Sequence, residues 1–391
     1  MDPHEVLRSL VADIGPGDLP AEDRILQIAR GLEAHDAVFW DRLIGELDYH
    51  GLTLLVGPIV AMLARTAPGA VPDTSRRTFF ALASRHRRLA AVREACVDRL
   101  LTAFAAAGIT MILLKGAALA HRIYPSPELR PMVDIDILID PAQAQAAVEV
   151  ASELGYRFAA RHSSRFAGRL HHIPAAEMTE SGFRIFLEIH IDAMNLDRRE
   201  RLVLSNLAAK PLPFGRGTGP DGLALGHIDM LRHLAAHTFD WTHRVRLIHL
   251  YDLWRYQAIF HDEIDWRQIE VRFPQVIVVL GLVSQFFRGA RAGTMSEATP
   301  AGLGLAMIPL ADVVSSDMSL VGKMAAVFNP PAWWLHGFYG VPPERSLLWC
   351  RTVRHPAMVA RWLLARWWGL IGLRGNWNWV EAHNKARMGR E

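Results

Sequence analysis

Up to residue 107 the apolar side chains recur at spacings of three and four, as in Ile25, Ile28, Ala29 and Leu32, the period that lays one stripe along an α-helix. Breaks fall near Pro58 and at 68–72. Residues 74–107 predict one long helix whose stripe of Leu89, Val92, Cys96, Leu100 and Phe104 faces a core, with Gly108 as its stop. The period then changes. Residues 109–114 are short, apolar and partly β-branched, which predicts a buried strand. A turn or two of helix follows over 117–123, broken by Tyr124-Pro125-Ser126-Pro127. Residues 133–139 predict a second strand. Asp140-Pro141 then opens a helix, with Asp as cap and Pro at its first position, that ends near Leu154. Residues 184–191 predict a third strand. Pro- and Gly-rich 205–222 and Gly/Ala/Thr-rich 289–304 predict loops, Pro330-Pro331 and Pro342-Pro343 mark further breaks, and Trp333 and Trp334 are expected to pack.

The polar positions inside the strands carry the chemistry. In Asp134-Ile135-Asp136 two carboxylates sit one residue apart, so both leave the strand on one face. Such a pair repels itself unless a cation lies between, and hard divalent ions such as Mg²⁺ take carboxylate and phosphate oxygens. In the third strand Arg184, Phe186, Glu188, His190 and Asp192 share one face, while Ile185, Leu187, Ile189 and Ile191 share the other. Alternation of this kind also describes the wet face of an antiparallel sheet. If the third strand lies beside the second, Glu188 joins Asp134 and Asp136. Three such carboxylates can hold two metal ions roughly 3.5 to 4 Å apart around an in-line displacement at phosphorus. The step Lys115-Gly116 follows a strand and opens a helix, so backbone N–H groups and an ammonium can face an anion. It is not a Walker A loop, whose second glycine and Ser/Thr are missing.

Leu114-Lys115-Gly116-Ala117-Ala118-Leu119-Ala120, the Tyr124-Pro125 turn and Leu129-Arg130-Pro131-Met132-Val133-Asp134-Ile135-Asp136-Ile137-Leu138-Ile139 together resemble the signature of an uncharacterised bacterial nucleotidyltransferase family within the DNA polymerase beta superfamily. More distantly they are similar to the Lys-Gly-Gly-Thr and Arg-x-Ser-x-Asp-x-Asp pattern of AbiEii-type toxin nucleotidyltransferases. The resemblance is clearest over 109–192. It implies a mixed sheet, Lys115 and Gly116 at the triphosphate, Asp134 and Asp136 on metal, and Glu188 as third acid. The chain departs from the superfamily in Gly116-Ala117, where Gly-Ser or Gly-Gly is usual, and in Pro131-Met132-Val133 before the first aspartate. Candidate substrate-binding positions are Lys115, Gly116, Ala117, Arg130, His190, Arg244, Arg246 and Asp252. In the run His243-Arg244-Val245-Arg246, Arg244 or Arg246 would reach phosphates and Asp252 would orient one of them by an ion pair.

His233 and His237 lie four apart on a predicted helix, but Leu234 stands where a zinc protease has Glu, so a satisfied histidine pair is expected. The 391 residues, 51% hydrophobic and 21% charged, describe an ordered protein of more than one domain's usual size. A net charge of +3 fits a polyanionic ligand without demanding one. Two cysteines, Cys96 and Cys350, exclude a disulfide framework and fit a reducing compartment. The acidic N-terminus has no secretory pattern, and the apolar run 51–64 falls short of the ~20 residues that span a bilayer. Residues 359–373, with Trp362, Trp367 and Trp368 between arginines, predict core packing or contact with a membrane surface.

The expected molecule is α+β: a helical region over 1–95, a small mixed-sheet nucleotidyltransferase core over 96–195, and a mostly helical region over 196–391. Its expected activity is cytoplasmic transfer of a nucleoside monophosphate from a nucleoside triphosphate such as ATP, with release of pyrophosphate. Mg²⁺ would serve as a pair of ions, or Mn²⁺ in its place. The acceptor is open among a small molecule, a protein and a tRNA, and a toxin-like enzyme or a degenerate nucleotide-binding protein is the alternative.

Overall fold

The computed structural model describes residues 35–67, 69–158, 172–194, 201–217, 219–239, 245–286, 327–342 and 344–370. These fall into two compact units. One holds the described residues of Met1–Arg88, Ile123–Pro131 and Thr238–Leu347, the other those of Leu89–Arg122, Met132–His237 and Leu348–Glu391.

Helix α1 (Ala37–Tyr49) starts where the Asp36 carboxylate accepts the N–H of Phe39 at 2.9 Å and buries Trp40, Leu43, Ile44 and Leu47. Helix α2 (Gly57–Thr66) carries Pro58 in its first turn, where no intrahelical donor is lost. The long predicted helix is α3 (Asp73–Ala106); Leu89, Cys96, Leu100 and Phe104 are buried and Val92 is half-buried. Gly108 ends it at φ +68°, letting the N–H of Ile109 return to Phe104 O at 2.9 Å.

Strand β1 is short (Ile112–Leu113), and helix α4 begins at Lys115, two residues earlier than the pattern predicted, and runs to Arg122. Strand β2 is Asp134–Leu138. Asp140 caps a 3-10 turn by accepting the N–H of Ala142 at 2.8 Å, and helix α5 (Ala144–Glu153) follows. Strands β3 (Arg157–Phe158), β4 (Ala176–Glu180) and β5 (Phe183–His190) come next. Ser181 and Gly182 both take positive φ between β4 and β5, as a two-residue hairpin turn demands.

The loop expected over 205–222 is in part a hairpin. Strands β6 (Leu212–Phe214) and β7 (Gly222–Ala224) pair antiparallel within it. Proline survives in β6 because that strand is the sheet's outer edge. Gly222 is glycine because a Cβ there would stand 2.6 Å from the Phe214 ring. Helices α6 (His227–Thr238), α7 (Leu247–Ile259), α8 (Trp266–Arg272), α9 (Pro274–Phe286), α10 (Ala332–Tyr339) and α11 (His355–Leu370) complete the described chain. Trp333 and Trp334 are buried, as expected. The predicted loop 289–304 lies outside the described residues, as do the side chains of Trp362, Trp367 and Trp368. No described helix is long and apolar enough to cross a membrane.

All seven strands form one mixed sheet in the order β3-β4-β5-β2-β1-β7-β6, so the fold is α+β with helical segments flanking the sheet in sequence. β2 lies inside it, parallel to β5 and antiparallel to β1. Ile135, Ile137, Leu138, Leu187 and Ile189 are wholly or almost wholly buried on these strands. Each such side chain contributes about 1.5 to 3 kcal/mol, which fixes which way the intervening polar residues face.

In the first unit the Arg130 guanidinium grips Asp252. Nε donates to Oδ2 at 2.9 Å and to Oδ1 at 3.0 Å, and Nη2 donates to Oδ2 at 2.7 Å. The Tyr124 hydroxyl donates to Oδ1 at 2.6 Å. Asp252 therefore pairs with Arg130 and not with Arg246, whose Nε donates to Tyr49 O at 2.7 Å while its guanidinium lies over the Tyr49 ring. The planar fork of Arg130 satisfies both oxygens of a buried carboxylate at once. Arg244 lies outside the described residues.

Candidate active site

The register of β2 against β5 puts Asp136 opposite Glu188 and Leu138 opposite His190. Side chains two apart on a strand, and residues opposed across a pair, share a face. Asp134, Asp136, Glu188 and His190 therefore stand on one face of an interior strand pair, with Glu188 beside the aspartates on that face. β1 delivers the cation. The N–H of Leu114 donates to Asp136 O at 3.0 Å, and the next residue, Lys115, turns into α4 at φ +42°. Its ammonium donates to Asp136 Oδ1 at 2.7 Å. His190 Nε2 donates to the same oxygen at 2.8 Å and lies 3.6 Å from Glu188 Oε2. A left-handed backbone at a lysine costs about 1 kcal/mol or more and is held here by the buried ion pair.

Burial and charge separate the two aspartates. Burial would raise the Asp136 carboxyl, but the Lys115 ammonium and the His190 hydrogen bond outweigh it and hold it well below the ordinary carboxylate range. Asp134, half-buried, is pushed up to about 6, first by burial and then by the charge of Asp136, with Lys115 working the other way. Burial works against the charged form of Lys115, yet Asp136, Asp134 and Glu188 together raise it above the usual lysine value. The ammonium stays charged at any working pH.

Among the described residues, Asp136, Glu188 and His190 are the group whose ligand atoms all lie within 4.8 Å of one another. Two carboxylates and an imidazole at that spacing fit a divalent ion. The tight trio contains His190, which the sequence placed on the substrate side, and leaves Asp134 just outside it. Gly116 and Ala117 are buried in the first turn of α4, where the N–H of Ala117 is taken by Leu114 O at 3.1 Å. Of the remaining candidates, Arg130, Arg246 and Asp252 belong to the other compact unit.

One residue of this unit was placed wrongly as a satisfied helix histidine. His233 Nδ1 lies 2.7 Å from Ala193 O, but Nε2, buried, has no hydrogen-bond partner among the described residues. Burial, then the charges of Lys115 and His190, push its imidazole down to about 3. The helical spacing places His233 and His237 on one side of a helix; nothing local shows which nitrogen is satisfied.

Residues 36–279 match the model of a family described as uncharacterised nucleotidyltransferases, well over half the chain. The chain belongs to this family. It is thus an enzyme, a nucleotidyltransferase, and nucleotidyl transfer from a nucleoside triphosphate is its general reaction. The matched stretch runs from α1 into α9 and includes every strand of the sheet. Comparison of the nucleotidyltransferase with curated proteins and with solved structures gives no match.

Proposed function

We propose that this nucleotidyltransferase has a DNA polymerase beta-type core and moves a nucleoside monophosphate, from ATP or another triphosphate, onto an acceptor nucleophile at the β2–β5 face. The observation that carries the proposal is the in-register pairing of Asp136 with Glu188, with His190 one step further on and Lys115 on the shared oxygen. A bound divalent cation, alone or as a pair held with Asp134, would supply positive charge at the α-phosphate and orient the nucleophile.

The chain's own groups do the rest. Lys115, ionised and tethered at the head of α4, offers its ammonium to the triphosphate as it leaves Asp136. Glu188 is the accessible acid of the trio, its side chain 27% exposed against 4% for Asp136. It accepts the proton of the acceptor hydroxyl as the new oxygen–phosphorus bond forms. The bond between the α-phosphorus and its bridging oxygen breaks, and pyrophosphate leaves with the electron pair. The unpaired cysteines Cys96 and Cys350 are both buried, which suits a reducing cytoplasm.

Incubating the enzyme with each labelled triphosphate and a cell extract tests this. Label is expected on one acceptor, whether small molecule, protein or tRNA, and Asp136→Asn is expected to abolish it. Equal labelling by wild type and Asp136→Asn would sink the proposal. Growth arrest on expression, relieved by Asp134→Ala, would assign a toxin-like role to the same chemistry.

A further inference from the structure

The ion that suits the β2–β5 face is decided by its third donor. His190 Nε2 stands 2.8 Å from Asp136 Oδ1 and 3.6 Å from Glu188 Oε2. Neighbouring corners of an octahedron with bonds of ~2.1 Å are about 3 Å apart, so these atoms already have the spacing of one coordination sphere. A proton on Nε2 and the Lys115 ammonium are both directed at Oδ1.

A second buried nitrogen lies in the same compact unit. The carbonyl of Ala193 can only accept, so His233 Nδ1 carries the hydrogen and Nε2 presents a lone pair. That nitrogen is buried, the residue only 2% exposed, without a hydrogen-bond partner among the described residues. A buried acceptor left empty costs about 1 to 3 kcal/mol.

We propose that Asp136, Glu188 and His190 form a two-oxygen, one-nitrogen site that selects a first-row transition-metal dication over Mg²⁺, and that the ion is Mn²⁺. Mg²⁺ is a hard ion that keeps oxygen ligands and sheds water reluctantly, whereas imidazole is a good donor to transition ions. The choice of Mn²⁺ over Zn²⁺ rests on the nucleotidyl-transfer proposal. Six-coordinate Mn²⁺ leaves three positions for phosphate and nucleophile oxygens, where four-coordinate Zn²⁺ leaves one.

The test is a titration of the full-length, metal-free protein with MnCl₂ in the absence of nucleotide, followed by electron paramagnetic resonance and competed with MgCl₂. Wild type is expected to bind Mn²⁺ at least about tenfold more tightly than Mg²⁺. Pulsed spectra of the bound ion are expected to show nitrogen modulation from a coordinated imidazole. His190→Gln is expected to remove that modulation and to cut the preference for Mn²⁺ by about tenfold. Absence of bound Mn²⁺, bound Mn²⁺ without nitrogen modulation, equal affinity for the two ions, or modulation retained in a folded His190→Gln protein would overturn the assignment. The wild-type spectra decide the matter even if that variant fails to fold. Since no triphosphate is present, a chain that binds Mn²⁺ through His190 yet labels no acceptor would retain the metal site and lose the transfer reaction.

Discussion

Two buried aspartates, one in each compact unit, are met by cations in opposite ways. Asp252 receives the fork of Arg130 on both oxygens and the Tyr124 hydroxyl besides, so its acceptor capacity is largely filled by groups of fixed geometry. Asp136 receives Lys115 and His190 on Oδ1 alone, and among the described residues nothing donates to Oδ2. Arginine locks a carboxylate, while lysine, a point charge on a flexible stem, neutralises one and can be moved off it. The Asp252 cluster has the form of a structural fastening. The Asp136 cluster is neutral enough to stay folded and open enough to take a ligand.

The largest effect that would separate them is catalytic. Asp136→Asn is expected to lower nucleotidyl transfer by about a thousandfold or more, with a smaller loss of stability than Asp252→Ala, since the amide keeps the shape and Asp134 and Glu188 still act on the Lys115 ammonium. Parallel assays of label transfer and urea unfolding would check this. Unfolding midpoints that collapse together with the activity would erase the distinction.

Asp252→Ala should do the reverse. Removing one partner of a buried pair leaves the Arg130 charge uncompensated and is expected to cost about 3 to 5 kcal/mol of stability. Tyr124→Phe, which removes one donor from the same carboxylate, is expected to cost about 1 kcal/mol. Chemical denaturation of both variants gives the numbers, and an Asp252→Ala protein as stable as wild type would show that the network fastens nothing.

The sequence made one of these clusters legible and hid the other. Period-two alternation placed Asp134, Asp136 and Glu188 on strand faces, and Asp140-Pro141 announced the turn after β2, because both signals are local. Pairing is not local. That β5 lies beside β2 with Asp136 opposite Glu188 depends on a crossover through α5, β3 and β4, and only that register brings His190 onto Asp136. Asp252 was expected to pair with a neighbouring arginine, yet its partner stands 122 residues away in Arg130. By composition Pro213 and Gly222 are loop residues; an outer edge and a close contact with Phe214 make them strand residues of the β6–β7 hairpin.

A smaller effect depends on pH. In the metal-free protein Asp134 sits near 6 against an ordinary value of 3.8, so the folded chain holds a proton that the unfolded chain has released. The associated stability is fully present below about pH 3.8 and is lost as pH rises through about 6, on the order of 1 to 3 kcal/mol. Asp134→Asn is expected to flatten that slope in unfolding curves taken with chelator between pH 4 and 7. An unchanged slope in Asp134→Asn would place the proton elsewhere.

The smallest expected effect isolates the backbone beneath the movable cation. Lys115 holds φ +42°, a conformation glycine adopts freely and a side chain resists. Lys115→Ala and Lys115→Gly both delete the ammonium, leave Asp136 with His190 alone, and are expected to impair transfer equally. Their difference in stability therefore contains no electrostatics. Relief of the left-handed strain favours the glycine variant by about 1 kcal/mol, reduced by the greater freedom glycine has when unfolded. A glycine variant more stable than the alanine one would show that the fold holds Lys115 in a strained turn to bring its charge onto Asp136. Equal or reversed stabilities would mean that α4 can begin there without strain, and that the ion pair, not the backbone, places the ammonium.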